Sequence, residues 1–199
     1  MNRRTLLKVG TGVAAVVLAG RGLAVMAANG GLLLADLEPD RDWPIYRRYR
    51  LLIVAQRDDE TAGGLAAAVV AVLERFLPAS RAQQARAADS RRVGVLIGTN
   101  QQDVAIMTAA SAEALFLARQ PFEDIRDVPL RIIVSFGSHV LVCREDLMVD
   151  HVYLLAQTLT EHKDALPLWV GVSDGVVPAH RGSRAFFSGE LIPSPTSST

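Results

Sequence analysis

The run RDDETAGG, Arg57 to Gly64, gathers the groups of this chain most able to engage a ligand. Asp58, Asp59 and Glu60 are hard oxygen donors suited to a cation or an amine. Thr61, Gly63 and Gly64 follow immediately and lead into an apolar helix, whose first N–H groups lack intrahelical acceptors and could hold a carboxylate or another anion. The acids beside that turn would repel an anion, so both chemistries stay open. Gln56, Thr108 and Ser135 stand where strands should end and could supply a polar wall. Thr99 and Asn100 offer a further polar turn.

Other reactive types are present without the spacing that chemistry needs. His139 and Cys143 share a strand face, but four residues of strand separate them by about 13 Å, too far for a nucleophile and its base. Cys143 therefore reads as a buried thiol. His139, His151, His162 and His180 show no metal-ligand spacing, and the acidic turn reads most simply as solvated. No paired carboxylates, phosphate loop or triad motif stands out. We expect no enzyme, no metal and no cofactor.

The elements that must position these residues follow from periodicity. YRLLIVAQ, Tyr49 to Gln56, is a strand. LAAAVVAVLERFLP, Leu65 to Pro78, is a helix of small apolar residues that should lie buried against a sheet. ASRAQQARAADSRR reads as a surface helix or loop, and in VGVLIGTNQQ residues Val93, Val95 and Ile97 alternate with smaller ones. A short strand ends at Met107 before a helix opening near Ala109 or Ser111. Two strands, Leu130 to Ser135 and His139 to Arg144, flank an FGS turn. A helix over Val149 to Ala165 carries Val152, Leu155, Ala156 and Leu159 on one face, and a short helix closes the fold. Strands alternating with helices predict an α/β, three-layer αβα sandwich. Ligands of such sheets gather beyond the carboxyl ends of the strands.

Composition sets the outer limits. The chain has 199 residues, half of them apolar, enough for one domain. Residues 1–27 hold Arg3, Arg4, Lys8 and Arg21 and no acid; without them 17 basic residues face 21 acidic ones. Scattered basic residues and few aromatics exclude a nucleic-acid surface. The twin arginine Arg3–Arg4, the apolar run from Val9 to Gly20 and the small residues of AVMAANG are similar to a twin-arginine (Tat) export signal. Residues 1–27 are thus expected to be that signal, and the mature protein to be periplasmic, or membrane-anchored if the signal stays uncleaved. Residues 28–43 read as a linker, 44–188 as the folded lobe and 189–199 as a disordered tail.

Several segments resemble type II periplasmic solute-binding proteins. These are the opening strand, acidic glycine turn and apolar helix; NQQDVAIMTAASAEALF; the crossover pair PFEDIRDVPLRIIVSFGSHVLVCRED; and DHVYLLAQTLTEHKDAL before VPAHRGSRAFF. The ending, with Val177, Pro178, His180, Gly182, Ser183, Phe186 and Phe187, is similar to that of the TAXI branch (TRAP-associated extracytoplasmic immunogenic proteins), solute receptors of certain TRAP transporters. The resemblance implies a type II solute-binding fold over roughly residues 48–188. It also implies a small-molecule ligand such as an organic acid or amine, and transporter membrane subunits as partners. It gives His180 a structural role in fixing the turn before the last helix. Family members carry a second α/β lobe between the crossover strand and the closing helix; here only Arg144 to Val149 lie between. The expectation is a single lobe that captures a solute, or serves as a transport accessory, without closing on it, with a homodimer or a periplasmic partner as the missing wall. The alternative is an interaction module that uses the lobe as a scaffold.

Overall fold

Strand β1, Leu52–Gln56, starts the folded region in the computed structural model, which describes residues 50–169, 171–172 and 175–190. The expected export signal with Arg3 and Arg4, the linker, Tyr49 and residues 191–199 of the tail lie outside the described residues. Helix α1, Glu60–Phe76, begins five residues before the apolar run because the Asp59 side chain accepts the Ala62 N–H at 2.9 Å and caps it. It stops short of Pro78, which opens a 3₁₀ turn instead.

The next segments correct the sequence reading. Gln83–Ala87, expected as surface helix or loop, is strand β2, paired in parallel with β1. The alternation at Val93, Val95 and Ile97 does not make a strand: Ser90–Gly98 is helix α2, burying Val93, Gly94 and Ile97. Asp89 caps it by accepting the Arg92 N–H at 2.7 Å. Strand β3, Val104–Thr108, leads into helix α3, Ala109–Phe116, as expected. Strands β4, Leu130–Phe136, and β5, His139–Arg144, form a hairpin across a two-residue turn. Gly137, at φ 78°, supplies the backbone conformation this turn requires. Helix α4, Val149–Glu161, ends four residues earlier than expected and passes into a 3₁₀ turn; helix α5, Arg181–Ser188, follows. Gly189 and Glu190, assigned to the tail by sequence, still belong to the closure of α5.

The five strands form one mixed sheet in the order β2-β1-β3-β5-β4, with β5 antiparallel to both neighbours. Side chains alternate cleanly across it. Ile53, Ala55, Val104, Ile106, Leu141 and Cys143 pack with α1 and α4 on one face. Val54, Ala105, Met107, Val140 and Val142 pack with α2 and α3 on the other. Both faces are therefore buried under helices, and the molecule is an α/β sandwich.

One residue breaks the alternation. Ile132 pairs with Val142 and Val134 with Leu141, so Ile133 is an extra residue in β4, a β-bulge. The returning chain covers the outer edge of β4 at this point. Ile132 N–H donates to the Pro178 carbonyl at 3.0 Å, His180 N–H to the Ile132 carbonyl at 2.8 Å, and Ser135 N–H to the Gly171 carbonyl at 2.6 Å.

Candidate functional site

The parallel run of β1, β2, β3 and β4 puts Gln56, Ala87, Thr108 and Phe136 at one edge of the sheet. The antiparallel β5 delivers its first residue, His139, to the same edge. His139 lies directly beside Thr108 on one side and Phe136 on the other. The alternation that sends Leu141 and Cys143 toward α1 sends His139 there too, and it meets the residue that caps α1.

The result is a chain of three side chains. The His139 ring is buried at 7% exposure. Its Nε2 faces Asp59 Oδ2 at 2.9 Å, and its Nδ1 faces Ser138 Oγ at 3.0 Å. A carboxylate can only accept, so Nε2 carries the proton and donates to Asp59. In the neutral ring Nδ1 is then the acceptor, and the Ser138 hydroxyl donates to it. Burial alone would raise the Asp59 carboxyl. Hydrogen bonds from the Ala62 amide and His139, with help from the Thr61 amide, outweigh that and hold it below the ordinary carboxylate value. Asp59 is therefore an anion that caps α1 with one oxygen and orients His139 with the other. Ser138, at the tip of the hairpin, is exposed.

The sequence-predicted residues separate into two groups. Gln56, Thr61, Thr108 and Ser135 come together at the carboxyl edge. Thr108 caps α3, accepting the Ser111 N–H at 3.0 Å, and its hydroxyl bonds that of Ser111. Ser135 lines a cavity of about 130 Å³ with Ala109, Glu113, Gly137, Val140 and Val176. Thr61 and Gly64 face solvent in the first turns of α1; Gly63 is buried, and its carbonyl accepts from Gln84 Nε2 at 3.0 Å. At this turn Asp59 takes the Ala62 amide through its carboxylate and the Gly63 amide through its carbonyl, an ordinary capped helix start rather than an open anion cradle.

Thr99 and Asn100 lie at the opposite edge, where α2 turns back to start β3. Thr99 is the residue that closes the helix, and its hydroxyl donates to the Val95 carbonyl. Asn100 follows at φ 56°, a left-handed conformation that asparagine tolerates. Their polarity is explained by helix termination. Asn100 also borders a separate cavity of about 210 Å³, shared with Leu51, Asp103, Met148 and His151.

His180 is the N-cap of α5 and is held by backbone groups at both ring nitrogens. Its Nδ1 accepts the Gly182 N–H at 3.1 Å and its Nε2 donates to the Glu145 carbonyl at 3.1 Å. Burial holds its pKa below the ordinary histidine value, against bonds to Glu145 and Leu147 that favour the cation. Burial likewise raises the Cys143 thiol far above its usual range. The sequence reading weighed His139 only against Cys143, set that pair aside as too far apart, and missed Asp59, eighty residues away. The only signal was indirect: both residues flank strand ends, and only the strand order brings those ends together.

Among the described residues, no helix is long and apolar enough to cross a membrane, and no three His, Cys, Asp or Glu side chains are grouped to hold a metal. No protein-family model and no curated protein matches the chain.

Proposed function

We propose that this protein is an exported, periplasmic single lobe of the type II solute-binding kind, similar to the TAXI branch. It presents its carboxyl edge to a small organic acid or amine without closing on it. The observation that carries the reading is the passage from β5 to α4. β4 and β5 stay in one sheet as a hairpin, and only Glu145–Met148 separate β5 from α4. With β4–β5 taken as the crossover pair and α4 as the closing helix, no second lobe intervenes between them.

The cavity beside Ser135 is small, whereas a wider and more open one of about 510 Å³ lies at Ala87 and Asp89 on the same edge. About 130 Å³ is well below the roughly 300–1,000 Å³ of sites that bury a small molecule. One lobe covers about half of a ligand. For about ten heavy atoms the forfeited contacts are worth a few kcal/mol, a loss of about a hundredfold in affinity. A second wall, from a twin subunit, a transporter membrane subunit or a periplasmic partner, restores it. Isothermal titration of the mature protein against carboxylates and amines, with its mass in solution measured in parallel, tests this. Weak binding by the monomer is expected; submicromolar binding by a confirmed monomer overturns it.

A second reading, an interaction module on the same scaffold, is favoured by Val176, an apolar side chain 49% exposed at the rim of that cavity. Under it Val176→Asp weakens association with the partner and leaves small-molecule binding unchanged.

A further inference from the structure

We propose that Ser138 is an activated nucleophile that accepts acyl groups from esters, with His139 as its general base and Asp59 as the positioning residue. This rests on the geometry of the hairpin tip and is independent of solute capture. An exposed hydroxyl, a buried imidazole and a carboxylate follow one another at separations of 3.0 and 2.9 Å. That is the arrangement by which a weak hydroxyl nucleophile is activated: a base within hydrogen-bond reach, itself oriented by a third group. The ring is used in the sense opposite to that of the serine proteases, with Nδ1 toward the hydroxyl and Nε2 toward the carboxylate.

The surroundings favour function over simple packing. A buried histidine that only fills space ends on backbone groups, as His180 does at Gly182 and Glu145. His139 instead spends one nitrogen on a carboxylate, which fixes the tautomer and leaves the Nδ1 lone pair facing outward. It turns that basic nitrogen to a hydroxyl in contact with solvent. Asp59 is fixed in turn by the α1 amide of Ala62.

In the proposed step, Ser138 Oγ bonds to the ester carbonyl carbon as its proton passes to His139 Nδ1. The ester C–O bond breaks, and the departing alkoxide takes that proton. Water then attacks the acyl carbon, yielding the carboxylic acid and restoring the Ser138 hydroxyl. Positioned general-base catalysis contributes about 10²–10⁴-fold.

The test uses the full chain with a fluorophosphonate probe and p-nitrophenyl acetate. The expected result is one probe per chain, mapped to Ser138 by mass spectrometry. Labelling should be at least about 100-fold faster than that of a peptide spanning residues 134–141, which keeps Ser138 and His139 but lacks Asp59. Ser138→Ala, an exposed turn substitution, abolishes labelling and the p-nitrophenol burst. His139→Gln slows both by at least about a hundredfold. Asp59→Asn slows them with only a small change in urea stability, and Asp59→Glu restores part of the rate, which a purely structural role would not do. Labelling no faster than in the peptide, or a probe that stays on folded Ser138→Ala, overturns the proposal.

Discussion

Two buried histidines on the same scaffold do opposite things. At the closing junction, His180 is consumed by the backbone: Gly182 donates to one nitrogen, Glu145 accepts from the other, and nothing reaches solvent. At the carboxyl edge, His139 stands between an anion and an exposed hydroxyl. Burial is similar, at 2% for His180 and 6% for His139. What separates a structural histidine from a reactive one is therefore what lies at the two ring nitrogens.

The largest expected effect breaks the structural side of this contrast. A Cβ at Gly182 would collide with the Val149 carbonyl oxygen and the Tyr153 amide nitrogen, so α5 can lie against α4 only with glycine there. Gly182→Val should cost about 3 kcal/mol or more, read as a lowered urea midpoint. His180→Ala removes the α5 cap and strands the Glu145 carbonyl. A loss of about 2 kcal/mol is expected in the same titration.

The pH dependence sharpens the comparison. His180 binds its proton less readily in the folded protein than at its ordinary value of 6.5, so below that pH the unfolded chain holds more protons. Its contribution to stability is complete above pH 6.5 and is lost as the pH falls through the lowered folded value. Asp59, depressed from 3.8, adds a second loss only below that value. Urea midpoints measured between pH 8 and pH 5 should fall for the wild type and fall less for His180→Gln. An equal fall in both would place the titrating group elsewhere.

On the other side of the contrast the effects on stability are small. Asp59→Asn can still cap α1 and should cost about 1 kcal/mol, mainly through the weakened bond to His139. Ser138→Ala, on an exposed turn, should stay within about 0.5 kcal/mol of the wild type, even though it abolishes the proposed chemistry.

How much could be read from sequence depended on where the information sits. Strand β3, the β4–β5 hairpin and helices α1 and α4 were legible because each buries a periodic apolar face. β2 was not, since its QQARA is half-exposed and held by pairing with β1 and by Gln84 on the Gly63 carbonyl. α2 escaped because its glycines, Gly94 and Gly98, suggest neither helix nor turn. They are there because a Cβ at Gly94 would strike Phe122 and one at Gly98 would strike Ile125. Gln56, Thr108 and Ser135 were placed at the carboxyl edge by the rule of strand ends. The Asp59–His139 contact was hidden, because it exists only once β5 is inserted beside β3.

The covered edge of β4 has a further outcome. Gly171 and Pro178 lie along it and take up the Ser135 and Ile132 amides around the bulge. Were the protein cut before Gly171, those donors would be offered to any extended polypeptide, including a neighbour of the same kind. The final stretch thus guards against self-association by strand addition, and nicking by a protease there should turn a dispersed solute into one that clumps.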